Sequence, residues 1–431
     1  MDTRTRRFLF VLAWPLALIA GACSHSRVSD AAVVKPATVA AAPAVFAAPT
    51  VPDLLAEMTA AVNAGDQARY LACVSQRDPV FAMEQKNWAK DLSRKRPEKF
   101  EVALKNGEDE TPNAADGARL SEVTFKWTMP GARERSVSFL GRFEDDGGRW
   151  RFAGEAWKTL EAPGVRVFFF EGSEDAAKVV VDVFPGVRKH VQQVMGLVGD
   201  KGFEQYVQEV KLYKTMRHLQ ESIYLSYSDG LAGWNEPGES IKVLVSRGTS
   251  AGAMRSLLGH EYGHAGTFAY GPHANDMPWW ILEGVAELTA ERYTGGGQST
   301  ETIVRRWAEN TKKAAEAKPE GDAPAEEGST PRRRRRSEEV LIEWERLADF
   351  HGEAVQHQAQ VYTQGHHMVR YIGKRFGDEK RIAWMRAMSV EKPATMDEAT
   401  RRVLGMTFKQ LDTEWRESLL APSDDGPIER Q

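Results

Sequence analysis

His260-Glu261-Tyr262-Gly263-His264 sets two imidazoles four residues apart, and Glu283 follows after eighteen intervening residues. On a helix, residues i and i+4 share a face, so both histidines can reach one tetrahedral metal ion. Glu261 falls beside such an ion rather than on it, which leaves its carboxylate free to act as a base toward water. Two imidazoles, one carboxylate and an open fourth position are the donor set of a catalytic zinc site, and the chemistry is hydrolysis.

Two helices must hold these groups. Ser256, Leu257, Leu258 and Tyr262 lead into the first, whose buried side carries the histidines. Pro278-Trp279-Trp280-Ile281-Leu282-Glu283-Gly284-Val285-Ala286-Glu287-Leu288 reads as a second, apolar helix begun near a proline, with Glu283 at its start.

The run His260 to His264, eighteen residues, then Glu283-Gly284-Val285-Ala286-Glu287 resembles the gluzincin metallopeptidases, in particular their bacterial peptidase MA-like branch. The resemblance spans about residues 165 to 420 and is strongest between 257 and 290. It implies one Zn2+ per chain on His260, His264 and Glu283, with Glu261 as general base and acid in the hydrolysis of a peptide or protein substrate. Tyr362-Thr363-Gln364-Gly365 with Val369, Tyr371, Phe376 and Gly377 is similar to the helix after the zinc segment, and Gly405-Met406-Thr407 with Leu411 and Trp415 to the closing helices. Related peptidases draw an oxyanion donor from this region, which makes Tyr362 the candidate and His366, His367 and Tyr371 its competitors. Glu287, four residues after Glu283, is spaced to fix the tautomer of a zinc histidine, or else is a solvated glutamate. Gly252-Ala253-Met254 looks like part of an aminopeptidase signature but ends six residues before His260, a departure that argues against that activity. Ser240 to Val245 reads as the edge strand along which gluzincins lay extended substrate, or as a plain structural strand.

Arg4, Arg6 and Arg7, the apolar stretch Phe8 to Ile19 and the small residues Ala20-Gly21-Ala22 form an export signal over residues 1–22, with a partial twin-arginine pattern at Thr5 to Leu9. Cys23 is the expected lipidation site, which places the protein in the periplasm or on the outer membrane as a lipoprotein; ordinary cleavage at the same small residues makes it secreted. Cys73 is then a lone, buried thiol, or pairs with Cys23 if that residue is not acylated. A net charge of -4 from 57 basic and 61 acidic residues gives no global attraction to nucleic acid, and none is expected as a partner.

The expected fold class is α+β. Residues 23–50, rich in Ala, Val and Pro, read as a disordered tether. Residues 51–162 show helical patterns followed by four strands, Phe100 to Leu104, Val123 to Met129, Val137 to Phe143 and Trp150 to Trp157. That order is similar to the cone-like nuclear-transport-factor-2-like domain. Residues 164–421 read as a two-lobed gluzincin-type domain, a small sheet with the zinc helix followed by a helical lobe. Its strands are expected at Val165 to Phe170, Val207 to Tyr213, Ile223 to Tyr227 and Ile241 to Val245, and a helix over 176–197 interrupted at Pro185-Gly186. Helices are expected at Val340 to Phe350, Ala354 to Phe376, Arg381 to Met388 and Phe408 to Leu420. Between them, 311–339 is a low-complexity insertion ending in Arg332 to Arg336: a solvated loop, a processing site or a basic arm for anionic lipid. Water activation does not name a substrate. Two readings therefore stand beside the peptidase: a zinc hydrolase of a non-peptide substrate, and a non-catalytic binding or scaffold protein on a degenerate peptidase fold, against which the intact Glu261 argues.

Overall fold

The computed structural model describes residues 50–105, 116–228, 230–246, 248–316 and 339–422. The export signal, the tether as far as residue 49, Cys23, and the insertion from 317 to 338 with Arg332 to Arg336 lie outside the described residues. The described chain is mixed α and β.

Helices α1 (Val51–Ala64), α2 (Gln67–Leu71) and α3 (Pro79–Leu92) come first. Asp78 caps α3 by accepting the Val80 and Phe81 amides, and Pro79 occupies the first position, where no amide proton is needed. Strands β1 (Lys99–Leu104), β2 (Arg119–Thr128), β3 (Arg135–Asp145) and β4 (Trp150–Glu155) form an antiparallel meander in sequential order. Alternation in β2 turns Val123, Phe125 and Trp127 onto a core shared with Leu54, Met58 and Trp88 of the helices. Cys73 is buried in that core with no disulfide partner among the described residues.

The second sheet runs β5-β6-β7-β9-β8, with β5 (Lys158–Ala162), β6 (Val165–Phe169), β7 (Gln208–Tyr213), β8 (Gly233–Trp234) and β9 (Ile241–Leu244). Strands β6, β7 and β9 are parallel, and β5 and β8 pair antiparallel at the two edges. Residues 158–162, read from sequence as the end of the N-terminal domain, therefore belong to this sheet, because Lys158 to Ala162 pair in register with Phe169 to Val165. Strand β7 is central and wholly buried. Its Val210 and Leu212 share a core with Val180, Phe184 and Val187 of α4 (Glu174–Val194), while Lys211 reaches Glu84 on α3 (Nζ to Oε2, 2.5 Å).

Helix α4 continues through Pro185 where an interruption was expected. Pro185 and Gly186 are exposed, and Val183, Phe184, Val187 and Val191 hold the buried face on the core across the lost hydrogen bond. Helix α5 (Lys201–Gln205) follows. The expected strand at Ile223 to Tyr227 is absent: α6 (Met216–Ile223) ends there, and the chain turns to insert Leu225 into the N-terminal core. The Trp127 indole and the Arg135 guanidinium donate to the carbonyls of Leu225 and Tyr227, satisfying backbone that a strand would have paired, and the Trp88 indole donates to the Glu221 carbonyl at the end of α6.

The remainder is helical: α7 (Ala251–Phe268), α8 (Trp279–Thr294), α9 (Gly296–Glu316), α10 (Gln358–Phe376), α11 (Asp378–Ala387), α12 (Met396–Leu404) and α13 (Phe408–Leu420). Helix α9 extends to Glu316, so the insertion begins later than residue 311. Its two ends are pinned where Asn310 donates to the Glu339 carbonyl and Leu341 donates to the Thr311 hydroxyl. The expected helix at Val340 to Phe350 is only a 3-10 turn, Trp344–Leu347, because the Gln364 side chain takes both the amide and the carbonyl of Ile342. Residues Glu353–His357 likewise form a 3-10 turn before α10. No helix among the described residues is long and apolar enough to cross a membrane.

Candidate metal centre

Helix α7 is capped by Ser250, whose hydroxyl accepts the Ala253 amide, and carries His260, Glu261 and His264. Gly252-Ala253-Met254 lies in its first turn rather than on a strand. Helix α8 packs across α7 at Gly263, where a Cβ would collide with the Thr289 hydroxyl and come 3.2 Å from the Ala286 Cα. The Thr289 hydroxyl closes the contact by donating to the Gly259 carbonyl (2.7 Å). This close approach brings Glu283 opposite the two histidines. A second one, Gly284 of α8 against Gly365 of α10, sets Tyr362 one turn away from the same point. The N-terminus of α8 is tied down by the Trp279 amide on the Ala348 carbonyl (2.8 Å).

The Glu283 Oε2 atom lies 3.2 Å from His260 Nε2 and 3.6 Å from His264 Nε2. One nitrogen from each histidine and one oxygen of Glu283 fall within 4.8 Å of one another. Glu283 Oε1 is filled by the Trp279 indole (2.8 Å), whereas Oε2 is buried and has no hydrogen-bond partner. A buried carboxylate oxygen left bare beside two imidazole nitrogens is an unsatisfied arrangement that a divalent cation completes. The donor set of two imidazoles and one carboxylate fits zinc.

Burial opposes ionisation of Glu283, but His264 and His260 outweigh it and hold the carboxyl well below its usual range. Burial likewise opposes a charged His260, yet the carboxylates of Glu283 and Glu287 raise its pKa well above the ordinary value. Glu261 is driven up by burial, with both histidines opposing. Its backbone carbonyl accepts from Asn235 Nδ2 (2.9 Å), and its carboxylate lies against Gly233 of β8, where any Cβ would strike it. His260 Nδ1 is 3.2 Å from Glu287 Oε1, so the ring turns Nε2 toward Glu283.

Tyr362 stacks on His260 with ring centroids 5.9 Å apart. Burial, then the charges of Glu283 and Glu261, keep its phenol protonated by raising its pKa well above the usual value. The competitors are engaged elsewhere. His366 meets Glu291 (3.3 Å) and Thr300 (3.2 Å), His367 meets Glu301 (3.0 Å) and the Trp415 indole (2.9 Å), and Tyr371 is packed at the core margin.

Ser240 to Val245 does not provide the sheet edge. Strand β9 is flanked by β7 and by β8, and β8 takes the outer position through Gly233 opposite Val243 and Trp234 opposite Lys242. Sequence reasoning missed Gly233, Asn235 and Glu236, which no periodicity marks. The Glu236 carboxyl accepts from Asn275 (2.9 Å), and burial, with Glu239 adding, pushes it up to about 7. Trp279 was legible in principle, standing one helical turn before Glu283. Trp279, Phe350 and Trp234 form an aromatic wall beside Tyr362, with Trp279 to Phe350 centroids at 4.9 Å and Trp279 to Tyr362 at 6.2 Å. No protein-family model and no curated protein sequence matches this chain.

Proposed function

We propose that this chain is an exported zinc-dependent metallopeptidase of gluzincin type, tethered to the envelope by a lipid on Cys23. The observation that carries the reading is the bare, buried Glu283 Oε2 facing His260 Nε2 and His264 Nε2, with Glu261 between the histidines in sequence. His260, His264 and Glu283 would hold the ion, which when bound supplies Lewis-acid polarisation of a carbonyl and an acidified water.

Glu261, raised by burial, takes the water proton on its carboxylate and returns it to the leaving amine nitrogen. Tyr362, protonated and stacked on His260, donates to the oxyanion. Glu287 orients His260 and Trp279 orients Glu283, so neither ligand is free to rotate. Gly233, which lies against Glu261, and Trp234 beside it on the outermost strand offer main-chain groups to an extended peptide. The small sheet followed by α7, α8 and the later helices supports the two-lobed gluzincin reading, and three helices before an antiparallel meander support the nuclear-transport-factor-2-like reading of the N-terminal part.

The test compares the wild type with Glu261→Gln for metal content and for cleavage of a mixed library of peptides and unfolded proteins. Stoichiometric zinc in both and cleavage only by the wild type is the expected result. Zinc in both with cleavage by neither sinks the peptidase and leaves the non-peptide hydrolase and the scaffold; full activity in Glu261→Gln removes the mechanism.

A further inference from the structure

A groove of about 710 Å³ lies where α8, α10 and the start of α11 meet the end of α4, away from His260 and His264. That volume accommodates more than a bare ion. Its cations come from several helix faces: Arg292 on α8, Arg370 and Lys374 one turn apart on α10, and Arg381 on α11. The two carboxylates in the lining are already matched. Glu291 Oε1 lies 3.2 Å from Arg370 Nε and its Oε2 lies 3.3 Å from His366 Nε2, while Asp378 Oδ1 lies 3.2 Å from Arg381 Nη1. Arg292 and Lys374 have no carboxylate within ion-pair distance among the described residues, so the groove carries an uncompensated positive charge.

Its floor also holds unsatisfied polar atoms. Arg381 is 3% exposed; Nη2 donates to the Val194 carbonyl (2.6 Å) and Nη1 faces Asp378, but Nε is buried without a partner. A buried N–H with no acceptor is unfavourable, and charged donors gain most from an ionised acceptor. His190 Nε2 is likewise buried and unpartnered, and burial followed by the charge of Arg292 keeps this imidazole's pKa below the ordinary value. A neutral ring that bonds the Thr289 backbone at one nitrogen presents a lone pair at the other. The groove thus combines free cations, a buried guanidinium donor and one acceptor, a set that an oxyanion carrying a proton satisfies better than chloride or a bare carboxylate.

We infer that this groove binds a phosphate group, either as inorganic phosphate or as a phosphomonoester. The site is separate from the metal centre, and the inference does not rest on the proposed hydrolysis.

The test is isothermal titration of the full chain with inorganic phosphate and with glycerol 3-phosphate, at constant ionic strength set by chloride. Saturable binding at one site is expected. It should weaken about tenfold or more in the Arg292→Gln/Lys374→Gln variant, which removes two charge-assisted contacts. Both residues are exposed, so the thermal midpoint of that variant should match the wild type. Tighter binding of the ester identifies a phosphorylated ligand, and equal or tighter binding of the free ion identifies phosphate itself; both support the site. Failure of both probes to saturate the wild type overturns the inference, as does unchanged affinity in the double variant, which would place any phosphate elsewhere, the metal centre included.

Discussion

At the contact between α3 and the second sheet, Glu84 Oε2 receives Lys211 Nζ at 2.5 Å, and its Oε1 receives the amide and hydroxyl of Ser240. Beside it Lys242 Nζ donates to Glu239 Oε2 (3.0 Å) and to the Ser222 carbonyl (3.0 Å), and Asn87 fills Glu239 Oε1 (2.7 Å). The candidate metal centre is also buried and rich in charge, yet Glu283 Oε2 has no hydrogen-bond donor. In the first cluster each carboxylate has its ammonium and every oxygen has a proton to accept, so the charge joins α3 to the second sheet. In the second, two imidazole nitrogens and a carboxylate oxygen converge, and the carboxylate oxygen is left without a hydrogen bond. Buried charge alone therefore does not single out the candidate site in this molecule; convergence of metal-ligating groups around an unfilled carboxylate oxygen does.

Substitutions that fill or open each cluster break or sharpen this contrast. At the open centre, Glu261→Gln should lower kcat by about 10²–10⁴-fold with metal content unchanged, the range expected for loss of a general base. At the closed cluster, Lys211→Met should leave metal content unchanged but cost about 3–5 kcal/mol, because it strands a buried Glu84. Adding Glu84→Leu should restore most of that in denaturant unfolding; a single variant as stable as the wild type would show that the cluster is not closed. Tyr362→Phe should reduce kcat by about 10²-fold with KM and zinc nearly unchanged, the signature of an oxyanion donor. A fall in zinc occupancy instead would make Tyr362 a packing residue. Glu287→Gln should weaken zinc about 10–100-fold in competition with a chelator while leaving the fold intact.

The smallest effect concerns Glu221, which sits near the closed cluster without an ammonium of its own. Burial, with Glu155 adding and His218 opposing, raises its carboxyl from 4.5 to about 8. A folded pKa above the unfolded one means that its contribution is fully present below pH 4.5 and is lost as pH rises through 8. Glu221→Gln should flatten that part of the stability curve between pH 5 and 9. Parallel wild-type and variant curves would rule the assignment out.

The legible parts of the fold were those with strong local period. All four strands of the first sheet formed, because alternation such as Val123, Phe125, Trp127 has one stable burial. Helix α13 coincides with the expected Phe408 to Leu420, since Thr407 and Gln410 make a capping box that locates its start. The misreadings lie where a distant group supplied the hydrogen bonds. Ile223 to Tyr227 has strand-like composition, but Trp127 and Arg135, more than ninety residues away, took its Leu225 and Tyr227 carbonyls. Val340 to Phe350 has a helical pattern, and Gln364 took the backbone that the helix needed.

The His260, His264 and Glu283 set, and Glu261 with it, was determined by sequence alone, because i to i+4 spacing on a helix is a local geometric fact and a third donor on the next apolar helix needs only a turn between them. Tertiary structure decided which groups support it. The glycine contacts at Gly263 and Gly284 set the helix spacing, Trp279 took one oxygen of Glu283 and left the other bare, and β8 displaced Ser240 to Val245 from the sheet edge to bring Gly233 against Glu261. Those outcomes depend on side chains from segments far apart in the chain, and no local period encodes which of them will meet.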